Sequence, residues 1–278
     1  MKNAKIGFIG QGFVGKNYAD AFEQLGHQVV RYDLADYKHN QALIAGCSLV
    51  FVAVPTPSTP RGFDDSILIA AINGVAPATT VIIKSTVKLG TTDKIQKLFP
   101  DLTIVHSPEF LREKHAAYDA GHPARNILGV TDDSDKRLAS LAQEIMSLLP
   151  PAPYELITTA RNAELIKYAG NCFLYTKVIF MNILFDLAQK YHLDYEIIKE
   201  ALSEDPRIGP SHTNIIDQSG RGAGGHCFIK DFEVFINLLT EAGLNDQKNV
   251  AERIRNLNLH YLRESNKDLD LIQGIYGI

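Results

Sequence analysis

Lys5-Ile6-Gly7-Phe8-Ile9-Gly10-Gln11-Gly12-Phe13-Val14-Gly15 joins a short apolar strand to a glycine turn and then to a helix. The strand is read over residues 5–9 and the helix over 13–25. A second strand follows at 28–32 and ends on the acid Asp33. Glycines at positions 10, 12 and 15 make the pattern G-x-G-x-x-G. Alone, that pattern also fits an ordinary glycine-rich turn. A strand before it, a helix after it and an acid ending the next strand make it a dinucleotide fingerprint. Gly10 allows the tight turn, Gly12 lets a pyrophosphate approach the backbone, and Gly15 lets helix and strand pack closely. The helix start faces the phosphates. Asp33 would accept hydrogen bonds from a ribose diol, which favours NAD over NADP.

The same alternation continues. Further strands are read at 48–54, 80–83, 102–106 and 126–130, with helices at 67–75, 91–98 and 134–149. Short apolar runs alternating with helices predict an α/β fold, a Rossmann-type doubly wound parallel sheet with helices on both faces. Pro150, Pro151 and Pro153 then mark a boundary, giving a nucleotide-binding domain over 1–157 and an all-helical central and dimerisation domain over 158–278. The helical pattern from 158 to about 202 is apolar nearly all round, so it should be buried or form a subunit interface. Residues 205–226 are rich in Gly, Ser and Pro and predict a long functional loop. Two more helices are read at 228–242 and 247–263, and the last dozen residues are read as a tail.

With 278 residues the chain has room for about two domains. Twenty-eight basic and 32 acidic residues leave a net charge of −4, which argues against a nucleic-acid platform and a polybasic membrane patch. No uninterrupted apolar run approaches the roughly 18 residues of a membrane span. The opening residues show no signal-peptide pattern. Three cysteines in a chain this long do not make a disulfide framework and suit a reducing cytoplasm. No metal site, nucleic acid or membrane is expected.

Cys227 lies in Gly220-Arg221-Gly222-Ala223-Gly224-Gly225-His226-Cys227-Phe228-Ile229-Lys230-Asp231. A helix start and the neighbouring Lys230 would both favour a thiolate. The plainer alternative is a small residue packed at a helix start. Glu164, Lys167 and Asn171 fall at i, i+3 and i+7, on one helix face. Lys167 and Asn171 could donate to a developing oxyanion; the alternative is a solvated face. The loops after two strands, Lys84-Ser85-Thr86 and Ser107-Pro108-Glu109-Phe110-Leu111-Arg112-Glu113, stand on the side where such sheets bind ligands.

In order, GFIGQGFVG, VAVPTP, KSTVKLGT, SPEFLRE with the later PAR of 123–125, AELIKYAGN, DPRIG and GAGGHCFIKD resemble the UDP-glucose/GDP-mannose dehydrogenase family. The resemblance covers about residues 4–240. It implies oxidation of the C6 alcohol of a nucleotide sugar to a carboxylate, with UDP-glucose the foremost substrate and two NAD⁺ reduced. It further implies that Cys227 attacks an intermediate aldehyde, giving a thiohemiacetal and then a thioester that water hydrolyses. Lys167 and Asn171 would stabilise oxyanions, Asp231 would assist proton handling, and Glu109 and Thr86 would position or activate water. Glu109, Phe110, Leu111, Glu113, Lys167, Asn171, Arg207 and Gly224 would meet the substrate, Arg207 across a homodimer interface. Gly10, Gly12, Phe13, Val14, Gly15, Asp33, Thr56, Thr86 and Glu113 would hold NAD.

The family also carries a third, nucleotide-binding domain after the helices, and the resemblance implies that this chain stops where that domain begins. Only 13 residues separate Asp33 from Cys47, fewer than the family has. His226 stands where UDP-glucose enzymes have Ser, Ile229 where Pro is usual, and Ile183 where Glu is frequent. Two other classes stay open: a one-hydride dehydrogenase of the β-hydroxyacid type, which needs no cysteine, and a non-catalytic or partner-dependent NAD-binding dimer.

Overall fold

The computed structural model describes residues 5–59, 62–217 and 220–277. Met1 to Ala4, read for a leader, and Gln218 and Ser219 of the long loop lie outside them. The chain divides into two compact units, Met1–Pro57 with Asp64–Lys167, and Ser58–Phe63 with Tyr168–Ile278.

The first unit is the α/β unit. Its elements are β1 (Ile6–Ile9), α1 (Phe13–Gln24), β2 (Val29–Tyr32), α2 (Gln41–Ile44) and β3 (Leu49–Val52). The small hairpin β4 (Ser58–Thr59) and β5 (Gly62–Phe63) interrupts it and belongs to the second unit. Then come α3 (Ser66–Asn73), β6 (Thr80–Ile83), α4 (Thr91–Leu98), β7 (Thr103–His106), α5 (Ala116–Gly121), β8 (Asn126–Val130), α6 (Lys136–Met146) and β9 (Glu155–Thr159). Strands IGFI, LVFV and TVII are buried at every position, as strands covered on both faces must be. Phe8 stacks on Phe51 at 4.8 Å between ring centres, and Phe22 of α1 meets both edge-on.

Among the described residues the sheet has the order β2-β1-β3-β6-β7-β8-β9. The chain leaves β1 for β2 on one side and returns to β3 on the other, which places a switch point at the carboxyl end of β1. Pairing is parallel apart from β7 with β8, which is antiparallel. The doubly wound parallel sheet expected from the sequence is present, with this one pair reversed. Between β7 and β8 the short helix α5 packs against α1 instead of crossing the sheet, so the chain re-enters from the end at which it left. Residues 155–159, expected to straddle a domain boundary, form the edge strand β9, paired with β8 over five positions.

The second unit is helical: α7 (Ala160–Lys190), which starts in the first unit, then α8 (Tyr195–Ser203), α9 (Gly225–Glu241), α10 (Asn245–Glu264) and α11 (Leu269–Tyr276). Tyr175 of α7 stacks on Phe232 of α9 at 3.9 Å. The pattern expected as one helix to residue 202 breaks after Lys190, where His192 takes a positive φ of 56° and the Asp194 carboxylate caps α8 by accepting from Glu196 N at 2.9 Å. The last dozen residues do not form a tail: α11 buries Ile272 in a cluster with Ile229, Leu259 and Leu262. The expectation about membrane spans also needs correcting. By length and composition α7 could cross one, with an 18-residue window of mean hydropathy 1.3, 39% of it buried. Counting uninterrupted apolar residues missed it because polar groups such as Lys167, Asn171 and Asn182 are spaced along the helix.

Candidate active site

At the end of β1 the three glycines meet three different demands. A Cβ on Gly10, at φ +88°, would lie 2.3 Å from the Ala53 carbonyl oxygen, and one on Gly15 would lie 1.9 Å from that of Gly10. Neither position admits a side chain. Around Gly12 nothing lies within 4 Å of such an atom, so bare backbone faces open space. Asp33 ends β2 with its carboxylate fixed by the Gln11 N–H at 2.9 Å and the Ala35 N–H at 2.9 Å. Thr56, after β3, donates its hydroxyl to the Thr86 carbonyl, after β6, at 2.6 Å. A tight turn, an open glycine, a helix start and a held acid fit a dinucleotide. Phe13 is exposed at the start of α1, and Glu113 is exposed in a short 3-10 turn.

The loop after β7 places Glu109 against α7. Lys167 donates to Glu109 Oε1 at 2.7 Å, and both side chains are buried. Glu109 Oε2 accepts from Leu111 N at 2.7 Å, so the turn holds its own carboxylate. Phe110 lies under the Arg125 guanidinium at 4.0 Å and 5.7 Å from the Lys167 ammonium. Lys84 stands at the end of β6, buried, donating to Ser107 Oγ at 3.1 Å, with its ammonium 4.0 Å from the Tyr18 ring centre. Burial brings its pKa down to about 7, opposed by the charge of Glu109 and aided by that of Lys167. His106, buried beside it, is held neutral, its pKa pushed down to about 3 first by burial and then by Lys84. The sequence placed Lys84 only at the start of a ligand-side loop, with no role, and gave His106 none. The signal was a lysine and a histidine each directly following or ending an otherwise apolar buried strand.

Glu164 does not join this group. Its carboxylate accepts from Gly90 N at 2.5 Å and from Thr92 N and Oγ1 at 2.8 and 2.6 Å, capping α4. Burial pushes its acid form up, against those three hydrogen bonds. Sharing a helix face with Lys167 therefore did not imply sharing its task.

In the helical unit Cys227 lies in the first turn of α9, exposed, and Asp231 lies one turn further on, buried. Asn171 of α7 donates to Asp231 Oδ2 at 2.6 Å. Lys230, expected to act on the thiol, sits 3.5 Å from Asp231 Oδ1. Gly224 occupies the N-cap position. Arg207 is exposed on the loop 204–224 and pairs with its own neighbour Asp205 at 2.6 Å. The remaining cysteines, Cys47 and Cys172, are buried, and burial raises the Cys172 thiol well above its ordinary range. Cys227 is thus the exposed thiol among the described residues.

The sequence model for the NAD binding domain of the UDP-glucose/GDP-mannose dehydrogenase family matches residues 34–148, and that for the family's central domain matches residues 161–260. The chain belongs to the UDP-glucose/GDP-mannose dehydrogenase family. It carries that family's NAD-binding domain and central domain in the same order. UDP-glucose 6-dehydrogenase of Rhizobium meliloti is 33% identical over 274 residues, covering 82% of this chain and 61% of that protein. A putative UDP-glucose 6-dehydrogenase of Bacillus subtilis is 31% identical, covering 82% and 62%. The chain therefore spans about three fifths of the length of these family members. The structure of a UDP-glucose dehydrogenase from Pyrobaculum islandicum superposes with a TM-score of 0.80 at 28% identity, over 99% of this chain and 72% of that one. A 3-hydroxyisobutyrate dehydrogenase of Mycobacterium tuberculosis shares the fold, with a TM-score of 0.73 at 17% identity over 95% of both chains.

Proposed function

We propose that this chain oxidises the C6 alcohol of a nucleotide sugar, UDP-glucose foremost, to the carboxylate, in two steps joined by a covalent intermediate on Cys227. The observation that carries the reading is the exposed Cys227 in the first turn of α9, one turn before a buried Asp231 that Asn171 holds. A one-hydride dehydrogenase of the same fold needs no thiol.

Gly10, Gly12, Phe13, Val14, Gly15, Asp33, Thr56, Thr86 and Glu113 would hold NAD⁺, which would supply the hydride acceptor for each oxidation at the sugar carbon. The chain's own groups do the rest. The positive end of α9 favours a thiolate at Cys227. Its sulfur adds to the C6 aldehyde carbon, and the carbonyl oxygen becomes an oxyanion that Lys167 and Asn171 stabilise. Loss of the second hydride leaves a thioester. A water, positioned by Glu109 with Thr86, adds to that carbon. The C–S bond breaks, the carboxylate departs, and the thiolate is restored, with Asp231 handling the proton. Holding the aldehyde covalently prevents its escape between oxidations. Phe110, Leu111, Gly224 and Arg207 complete the substrate contacts, Arg207 from the second subunit.

The homodimer rests on α7. Phe173, Phe180, Ile183 and Leu187 are 69, 58, 45 and 51% exposed along it, a face too apolar to leave to water. The first unit, expected to end near residue 157 and running to Lys167, binds the cofactor, and the second supplies the thiol and the dimer contact. A reducing compartment, the cytoplasm, keeps Cys227 reduced.

The test is stoichiometry. Purified chain with NAD⁺ and a panel of UDP- and GDP-sugars should yield two NADH for each sugar consumed, with Cys227→Ala yielding no acid. One NADH per sugar, or acid formation without the cysteine, would replace this reading with the β-hydroxyacid class.

A further inference from the structure

The glycine-rich loop that delivers Cys227 is held by α10 and the segment joining it to α11. Arg221 N donates to Ser265 Oγ at 2.9 Å. Ala223 exchanges two hydrogen bonds with the Asn258 amide, at 2.7 and 2.9 Å. The Lys267 ammonium donates to the carbonyls of Gly220 and Gly222 at 3.3 and 3.2 Å. Asp268 Oδ2 accepts from Gly225 N, the first residue of α9, at 2.7 Å. Five of the six loop residues from 220 to 225 are thus gripped through their backbones.

The glycines themselves carry the imprint of that grip. A Cβ on Gly224 would lie 2.1 Å from Asp268 Oδ2 and 2.5 Å from Lys267 Cε. One on Gly220 would lie 2.4 Å from the Ser265 Cβ. Lys267 is buried, which lowers its pKa, with Asp217 and Asp268 opposing the shift. Asp268 adopts φ +55°, a left-handed backbone that an aspartate tolerates better than most residues. A buried lysine and a strained aspartate are costly unless the contacts they make matter. Both spend their polar atoms on the residues immediately ahead of the thiol.

We infer that Lys267 and Asp268 are positioning residues for Cys227: they lock the glycine loop and the first turn of α9, and so fix where the sulfur stands. The inference rests on the reading of Cys227 as nucleophile. Asp268 acts as an N-cap supplied from another segment, α9 having no side-chain cap of its own. Lys267 ties two carbonyls of the same loop. Their hydrogen bonds run to the loop backbone, and a small displacement of the sulfur is enough to slow its attack.

The test uses the full chain with Asp268→Ala, Asp268→Asn and Lys267→Met, and Asp270→Ala on the exposed side of α11 as control. Amide exchange followed by mass spectrometry should show residues 221–225 exchanging about tenfold faster or more in Asp268→Ala and Lys267→Met, with 229–241 unchanged. For nucleotide-sugar oxidation, kcat should fall about tenfold while the KM for NAD⁺ stays within about twofold. Asp268→Asn, which keeps an oxygen for Gly225 N–H, should recover most of both losses, and Asp270→Ala should match the parent. Unchanged exchange at 221–225, an Asp268→Asn variant as impaired as Asp268→Ala, or a KM effect with kcat intact would each overturn the inference. If Lys267→Met fails to fold, the Asp268 pair decides. If no variant, parent included, oxidises a nucleotide sugar, the functional reading fails while amide exchange still judges the lock.

Discussion

Lys84 carries a testable consequence of its burial. Its ammonium faces Ser107, the Tyr18 ring and neutral His106, with the charges of Glu109 and Lys167 acting on it. In the folded chain it titrates near 7, against 10.5 when unfolded. Between those values the unfolded chain binds a proton that the folded chain lacks, so stability rises with pH across that window. The rise from this group is on the order of a few kcal/mol. Urea unfolding at pH 7 and pH 9.5 should show it, and Lys84→Met should flatten it; an unchanged slope would contradict the assignment. Lys167→Met should cost roughly 3 kcal/mol or more, because Glu109 is left buried without its cation, and should abolish turnover. The motif residues were legible from sequence because each glycine's task depends on neighbours a few positions away. Lys84, His106 and Glu164 were not, since their roles come from partners such as Ser107 and Thr92 that are distant in the chain.

Single elements here serve more than one purpose, and α7 most of all. Its first turns cap α4 through Glu164 and present Lys167, and later turns bring Asn171 to Asp231 and expose the apolar face. Glu164→Ala removes three hydrogen bonds and should destabilise the chain by about 2 kcal/mol in chemical denaturation while leaving NAD⁺ affinity unchanged. Phe180→Glu should shift the chain to monomer in sedimentation velocity at micromolar concentration. If the parent sediments as a monomer already, the interface lies elsewhere. Helix periodicity identified α7, α9 and α10 because their apolar positions recur at helical spacing. It did not show the break at His192, which depends on one left-handed residue and the Asp194 cap. Nor did it show α11, which is short and gains its place only from Ile229, Leu259 and Leu262.

At the scale of the whole chain, the α/β unit was legible because fully buried strands write continuous apolar runs into the sequence. The order of β1, β2 and β3 follows from the fingerprint. The antiparallel β8 does not, because direction is set by where the preceding chain packs. Fold alone leaves the chemistry open, since a 3-hydroxyisobutyrate dehydrogenase has the same one. In the proposed function the chemistry turns on the thiol at the start of α9. The direct measurement is mass spectrometry of acid-quenched, peptide-digested protein during turnover with NAD⁺ and UDP-glucose. An added mass matching the acyl sugar nucleotide, confined to the peptide bearing Cys227 and absent in Cys227→Ala, is the predicted result. Turnover with that peptide unmodified at every quench time, and undiminished in Cys227→Ala, would contradict it.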